Sequence, residues 1–390
     1  MKKLIKKFLY KLKVLDFDSQ WTFKGNRSYL IPDYKFYLRD PKILRYITEF
    51  HSSSSFTGHI VNLTSKEENY VNYLKDSLEF MKKKYPKEDF GKMWTNYDKK
   101  MLNNILEANV HIFNHIGALS YKAFTPTNPS IESSIREVIS SLCLYDYLSP
   151  SIKNFNTLHT TLNSGFFIKD NIRLNSKLKS YEEYMIIKNL FDSMLRSNRN
   201  KVIKVMEIGW GEGQLSNIIL SLLKGKVKFV IIDLPSMHSR APYFLYKYSK
   251  AKVCTYLKFI ELGSDIDKIF KEFDVIMLPP WEKQKLIDYD FDLAINMRSI
   301  SEMSSNEAID YIKLISNNSD YFFSINTNKK SFDKKTQGLI YDELNILDLI
   351  KSNDSDFDVL KTGATIGDSL LLKTPHHVFA VLKNKKRYKQ

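Results

Sequence analysis

The stretch Val205-Met206-Glu207-Ile208-Gly209-Trp210-Gly211-Glu212-Gly213, with Asp233 twenty residues beyond Gly213, decides how this chain is read. Apolar residues lead into three alternate glycines, and a helix-like stretch follows with Leu215, Ile218, Ile219, Leu222 and Leu223. A second apolar run, Phe229 to Ile232, then ends in the acid. That layout is a β-α-β unit with a ligand at the carboxyl ends of its strands. Gly209 and Gly211 allow the tight turn and a close approach of backbone to ligand, because a Cβ there would fill the space. Asp233, at the tip of the second strand, can accept both hydrogen bonds of a ribose diol. The spacing predicts a nucleoside-bearing cofactor.

A dinucleotide fingerprint needs a third glycine three residues after the second. Counting from Gly209 and Gly211 puts Gln214 there, and counting from Gly211 and Gly213 puts Ser216 there. Both registers miss. Glu207 stands two residues before the first glycine, where a purely apolar strand end would serve a dinucleotide equally well. The pattern E-x-G-x-G-x-G resembles the first motif of the S-adenosyl-L-methionine-dependent methyltransferases. The resemblance implies that Glu207 faces the methionine ammonium and that Asp233 holds the ribose.

The rest of the chain is read outward from this unit. At 390 residues it is long for one doubly wound domain, and 43% hydrophobic content is ample for a core. Tyr181 to Leu195 reads as a helix, after which strands alternate with helices at 203–208, 229–233, 274–278, 291–296 and 320–325. The helix over about 304–316 is expected to be capped near Ser304 or Ser305 with Glu307 in its first turn. Strands at about 357–366 and 377–383 would close the sheet as an antiparallel pair. The expected fold is α/β, a Rossmann-like seven-stranded methyltransferase sheet over 181–390, preceded by a mainly helical accessory region over 1–180. Within that region, segments around 67–84, 97–122 and 131–147 have helical spacing, with breaks at Pro86, Gly91 and Pro126-Thr127-Asn128-Pro129; 151–178 reads as irregular.

Charge and cysteine narrow the setting. The net charge of +15 is concentrated at the ends, in six lysines before residue 14 and five basic residues over 383–389, which leaves about +4 on the body. A nucleic-acid enzyme carries its basic stripe across the folded domain, so a nucleic-acid partner is disfavoured. Cys143 and Cys254 are too few for a disulfide framework or a zinc cluster, and a reducing cytoplasm is the expected compartment. Leu4, Ile5, Phe8, Leu9, Leu12 and Leu15 lie at helical spacing with lysines opposite. This is either a helix that adsorbs to an anionic membrane surface, placing the protein at its inner face, or a terminal helix docked on its own fold.

Three further segments sharpen the likeness. They are Ile232-Asp233-Leu234-Pro235, Met277-Leu278-Pro279-Pro280, and the run from Phe291 through Asn296-Met297-Arg298-Ser299-Ile300-Ser301-Glu302-Met303. With the helical N-terminal region, they resemble the sugar O-methyltransferases encoded with bacterial surface-polysaccharide genes. The resemblance implies methyl transfer to a sugar or glycan hydroxyl, with cofactor contacts at Glu207, Gly209, Gly211, Gly213, Asp233, Leu234, Pro279 and Asn296. Pro279, Pro280 and Trp281 would flank the adenine. Trp210 departs from the pattern, being bulky where small residues serve.

A sugar hydroxyl is a poor nucleophile and needs a base. Glu302 is the first candidate, as base or as the group that orients it, against the plainer role of complementing a helix dipole. His111 shares a helical face with Glu107 and His115, a spacing that can bind a metal or present a base, and His377 follows His376 before the last strand; each is a candidate base or a buried structural histidine. His238, just past Asp233, is weaker. No resident metal is expected. Other acceptors stay open, including a small molecule or a nucleic-acid base, as does a non-catalytic subunit of a glycan assembly complex. Base N-methylation calls for an Asn/Asp-Pro-Pro-aromatic tetrad after the fourth strand, and here Pro279-Pro280-Trp281 lies one strand earlier.

Overall fold

A computed structural model describes residues 63–86, 92–108, 167–169, 172–174, 177–197, 201–211, 213–327, 356–365 and 377–388, with single positions at 41, 110, 144 and 148. The amphipathic start at 1–15, Cys143, His111, His115, His376, the breaks at Gly91 and 126–129, and nearly all of the helix expected over 131–147 lie outside the described residues.

Among the described stretches two helices come first, α1 (Ser65–Lys84) and α2 (Lys92–Glu107). Thr64 opens α1 with a reciprocal capping box, its hydroxyl taking the Glu67 N–H while Glu67 reaches back to the Thr64 N–H at 2.9 Å. Within the segment expected to be irregular, β1 (Phe167–Lys169) and β2 (Ile172–Leu174) pair as a short antiparallel hairpin. Next come α3 (Lys177–Ser197), β3 (Ile203–Ile208), α4 (Gln214–Leu222), β4 (Val227–Ile232) and α5 (Met237–Tyr248). Then follow β5 (Val253–Cys254), α6 (Tyr256–Glu261), α7 (Ile266–Glu272), β6 (Val275–Leu278), β7 (Phe291–Met297), α8 (Ser305–Asn318) and β8 (Ser319–Thr327). The last strands described are β9 (Phe357–Ala364) and β10 (His377–Asn384). The α6–α7 pair and β5 have no counterpart in the sequence reading, because each is too short to show a period of its own.

Eight strands form one sheet in the order β5-β6-β4-β3-β7-β8-β10-β9. Neighbours from β5 to β8 pair in parallel, whereas β10 runs antiparallel to both β8 and β9. Without the two-residue edge strand β5, this is the expected sheet of five parallel strands closed by an antiparallel pair. The chain leaves β3 toward β4 and β6, then returns to lay β7 on the other side of β3. That reversal opens a crevice at the carboxyl ends of β3 and β7, the place where open α/β sheets bind ligands.

The central strands are apolar on both faces, as a sheet covered on both sides requires. Alternate residues feed two cores. Val205, Phe229, Ile231, Leu293 and Ile295 pack with α3 and α4, whereas Met206, Val230, Ile232, Ile276 and Ala294 pack with α1, α2 and α8. The apolar face of α1 (Val71, Leu74, Leu78, Met81) is therefore part of the same core as the sheet, lying against α5 and α6. Leu74 is fully buried there. Leu74→Ala is expected to cost about 2–5 kcal/mol and to shift the main urea-unfolding transition of the whole chain. A separate early transition, with the main one unmoved, would show that α1 unfolds independently.

Candidate active site

The loop after β3 is built on left-handed backbone: φ is +72° at Gly209, +56° at Gly211 and +67° at Gly213. A side chain at any of the three would be strained. The space around them differs from the expectation. A Cβ on Gly209 would collide with the Ser299 side chain, so the close approach there is to the loop after β7. A Cβ on Gly213 would press on the Trp210 indole at 2.7 Å, whereas at Gly211 nothing lies within 4 Å. Of the three, Gly211 is thus the one that faces open space. Trp210 turns inward, buried in the core, with its indole N–H donated to the Ser216 hydroxyl. Its bulk fills the protein's interior and keeps clear of the crevice.

Asp233 differs in a similar way. One carboxylate oxygen accepts the backbone N–H groups of Trp210 (2.6 Å) and Gly211 (2.9 Å), and the other accepts that of Leu234 (2.7 Å). Three of roughly four acceptor positions are filled, which leaves about one of them open. Asp233 is first the buttress of the glycine loop. Burial raises its pKa to about 6, with the Asp98 charge adding to that, against the lowering effect of its three N–H partners. The Leu234 N–H is one of those partners. His238 donates its Nε2–H to the Asp233 carbonyl (3.0 Å), and burial lowers its pKa to about 4, so it is a neutral structural histidine.

Sequence reasoning missed Asp98. This α2 residue is fully buried and accepts the Ser236 backbone N–H (2.9 Å) and the Tyr85 hydroxyl (2.8 Å). It therefore grips the segment directly after Asp233 from the helical region. An isolated aspartate on an amphipathic helix reads as a solvated position, and its partner lies 138 residues away; no local signal could have found it. Nearby, Pro279 leads into the 3-10 turn Pro280–Leu286, and the Trp281 ring lies against Tyr85 and Tyr256. Trp281 is thereby engaged by α1 and α6 and does not stand free as an adenine platform.

Glu207 is different in kind. It is 1% exposed at the carboxyl end of β3, and neither carboxylate oxygen has a hydrogen-bond partner among the described residues. Burial, then the charges of Asp233 and Glu183, push its pKa well above the ordinary carboxylate value. An unsatisfied buried carboxylate is costly unless something meets it.

Across the crevice Asn296 is saturated. Its amide donates to the Ile208 carbonyl (2.7 Å) and the Ser299 hydroxyl, and its oxygen accepts from Ile300 N (3.2 Å) and Asn326 Nδ2 (2.8 Å). With these four bonds Asn296 ties the ends of β3, β7 and β8 together. The turn that follows carries Arg298 at φ +64°, paired with Glu183 of α3 at 2.8 Å. Glu302 closes the 3-10 turn Ile300–Glu302. Its carboxylate has no hydrogen bond or ion pair among the described residues, and burial raises its pKa to about 7 against the lowering influence of Arg298. The Ser301 N–H reaches Asn326 of β8, and His377 stands opposite Thr327 at the end of the same strand. Glu302 and His377 thus share the carboxyl edge of the sheet. Among the described residues no group of three His, Cys, Asp or Glu is placed to hold a metal ion.

No protein-family model and no curated protein sequence matches the chain. Solved structures similar to it include a SAM-dependent methyltransferase from Aquifex aeolicus, at 16% identity over 53% of this chain and 92% of that one, TM-score 0.32. Another is the magnesium protoporphyrin IX methyltransferase from Synechocystis PCC 6803 with bound SAH, at 15% identity over 62% and 98%, TM-score 0.34. A cyclopropane-fatty-acyl-phospholipid synthase-like protein from Lactobacillus casei ATCC 334 is similar at 10% identity over 60% and 99%, TM-score 0.37. Scores this low carry no weight for function.

The Asp98 contacts can be tested directly. Asp98→Ala leaves the buried Ser236 N–H without its acceptor, at about 1–3 kcal/mol, and removes the bond to the half-buried Tyr85 hydroxyl, so urea denaturation should show a loss of that order or somewhat more. Asp98→Asn keeps an acceptor for Ser236 and should lose clearly less. Equal losses would show that the hydrogen bonds do not matter.

Proposed function

We propose that this chain is an S-adenosylmethionine-dependent methyltransferase acting on a sugar hydroxyl of a surface polysaccharide or its precursor. The observation that carries the cofactor assignment is Glu207, a fully buried carboxylate with no hydrogen-bond partner among the described residues, at the switch point of the sheet beside the glycine loop. A buried anion of this kind fits a cationic group, and the methionine ammonium supplies one. Glu207 would hold that ammonium, Gly211 would leave room for the ligand, and Asp233 would keep the loop in shape with about one acceptor position left for a ribose hydroxyl. The bound cofactor supplies a methyl group on a sulfonium.

The chain's own contribution to the reaction is the management of a proton. An alcohol must lose its proton as the new C–O bond forms, and a base is most effective when its pKa lies near the working pH. Glu302, raised to about 7 at the edge of the crevice, meets that requirement. Its carboxylate takes the hydroxyl proton as the oxygen gains the methyl. A base poised near neutrality favours a hydroxyl acceptor over an amine, which supports the sugar reading alongside the 233–235 and 296–303 segments. His377, on the same edge, is the second candidate. The basic segment over 1–15 would hold the protein at an anionic membrane surface on the cytoplasmic side, near a lipid-linked acceptor.

Burial raises the Glu207 pKa, and the carboxylate must be ionised to meet an ammonium. Cofactor affinity should therefore rise with pH through the range below that raised pKa, with net release of protons on binding. Calorimetry in buffers of different ionisation enthalpy measures this. Glu207→Gln should remove the pH dependence and weaken binding by at least about tenfold, the worth of one charged hydrogen bond. Affinity unchanged in that variant would overturn the site.

Glu302→Gln keeps the shape and removes the proton acceptor. Cofactor affinity should hold, while methyl transfer to a glycan acceptor falls by about 10²–10⁴. If the rate survives and His377→Ala abolishes it, the base lies on the final strand. An acceptor screen that finds only amine products would remove the sugar reading and leave the cofactor assignment standing.

A further inference from the structure

The methionine end of S-adenosylmethionine carries an ammonium and a carboxylate on one carbon. Whatever meets the carboxylate must therefore stand close to whatever meets the ammonium. The glycine loop has little to offer it. The Gly209 N–H goes to the Ile232 carbonyl (2.8 Å), those of Trp210 and Gly211 to Asp233, and that of Gly213 to the Trp210 carbonyl (3.0 Å). Glu212 lies outside the described residues. The surroundings of Glu207 are already negative, since the charges of Asp233 and Glu183 both act on it. One more anion brought there needs a cation.

Arg298 brings one. Ile208 of β3 pairs with Asn296 of β7, so the turn after β7 starts beside the strand end that carries Glu207. Arg298 stands two residues beyond Asn296, with φ at +64° and its N–H donated to the Ile325 carbonyl (2.6 Å). Residues other than glycine rarely adopt that backbone, and strain of this kind collects where a side chain has to be aimed. The guanidinium meets Glu183 of α3 at 2.8 Å. Glu183 acts on Glu207, and Arg298 acts on Glu302. The arginine thus lies between the carboxylate assigned to the cofactor and the carboxylate assigned to the proton. Glu183 has only 2% of its side chain exposed, whereas Arg298 has 31%, so part of the arginine is open to an incoming ligand. Its planar fork carries five N–H donors, more than one carboxylate takes.

We infer that Arg298 binds the carboxylate of the methionine end, so that Glu207 and Arg298 together grip a zwitterion. The inference rests on the cofactor reading proposed above. It makes Arg298 a specificity residue, because a donor or product that lacks the carboxylate loses one of the two charged contacts. Glu183 holds the guanidinium in place from α3.

Titration calorimetry on the full chain tests this with S-adenosylhomocysteine and its decarboxylated analogue, which keeps the adenosine and the amine. The unmodified protein should bind S-adenosylhomocysteine more tightly by about tenfold or more, the scale of a lost charge-assisted contact. Arg298→Gln should erase that preference, weakening S-adenosylhomocysteine and leaving the analogue unaltered. Because this change strands the buried Glu183 charge, a second variant combines Glu183→Gln with Arg298→Gln, and its thermal unfolding reports whether the fold is kept. The same selective loss is expected there. Undiminished S-adenosylhomocysteine affinity in both variants, or equal weakening of both ligands in the double variant, would overturn the inference and leave the cofactor reading standing. If the unmodified protein binds neither ligand, the cofactor reading fails and takes the inference with it.

Discussion

The carboxylate of Asp233 ties together the segments on which the crevice depends. It stands at the end of β4, and it holds the backbone of the glycine loop that follows β3. The three glycines permit that loop, but permission does not select one conformation. Two N–H groups pointing at a single buried oxygen do select it. Asp98 then fixes the segment after Asp233 from the far side, so the loop, the strand end and the helical region form one connected set of hydrogen bonds. On the opposite wall, Asn296 joins the ends of β3, β7 and β8 through four bonds of its own. Between these two saturated networks sits Glu207, whose oxygens none of the described residues satisfies. The contrast between tied walls and a free carboxylate is what gives the crevice its chemical direction.

The same arrangement explains which residues were legible in the sequence. Strands buried on both faces are continuous apolar runs, and each ends where a polar residue must meet the crevice. Ile203–Ile208 was therefore placed to the residue, and β7 to within one. Ser304 as the cap of α8 was equally legible, since its hydroxyl and the Glu307 N–H are three residues apart. The reading of function from type alone was less secure. Asp233 and Asn296 were placed at strand ends, yet Asp233 bonds to backbone, and Asn296 half to backbone and half to the Ser299 and Asn326 side chains, several of which only the folded sheet brings near. A sequence shows what a side chain can accept or donate, and tertiary structure decides to whom.

The helical region was legible as helix and illegible as partner. The spacing of Val71, Leu74, Leu78 and Met81 announces an apolar face, but nothing local says that this face meets α5 and α6. Asp98 and Tyr70 read as ordinary members of amphipathic helices, and Tyr85 as the residue just past the end of one. Their roles come from residues more than 100 positions away or from ring pairs across helices. Packing of that kind makes the helices part of the site's foundation as well as its cover.

Trp210 has a consequence of an optical kind. Its backbone N–H is held by Asp233, its indole N–H by Ser216, and its ring lies against Gly213. The chain has only four tryptophans, and this one is buried within the glycine loop itself. Indole emission depends on the polarity and hydrogen bonding around the ring. Any rearrangement of the loop that loosens Asp233 also changes the surroundings of that chromophore. The bulky residue in an otherwise minimal turn therefore gives the protein a built-in fluorophore, through which the state of the loop can be followed in solution without a label.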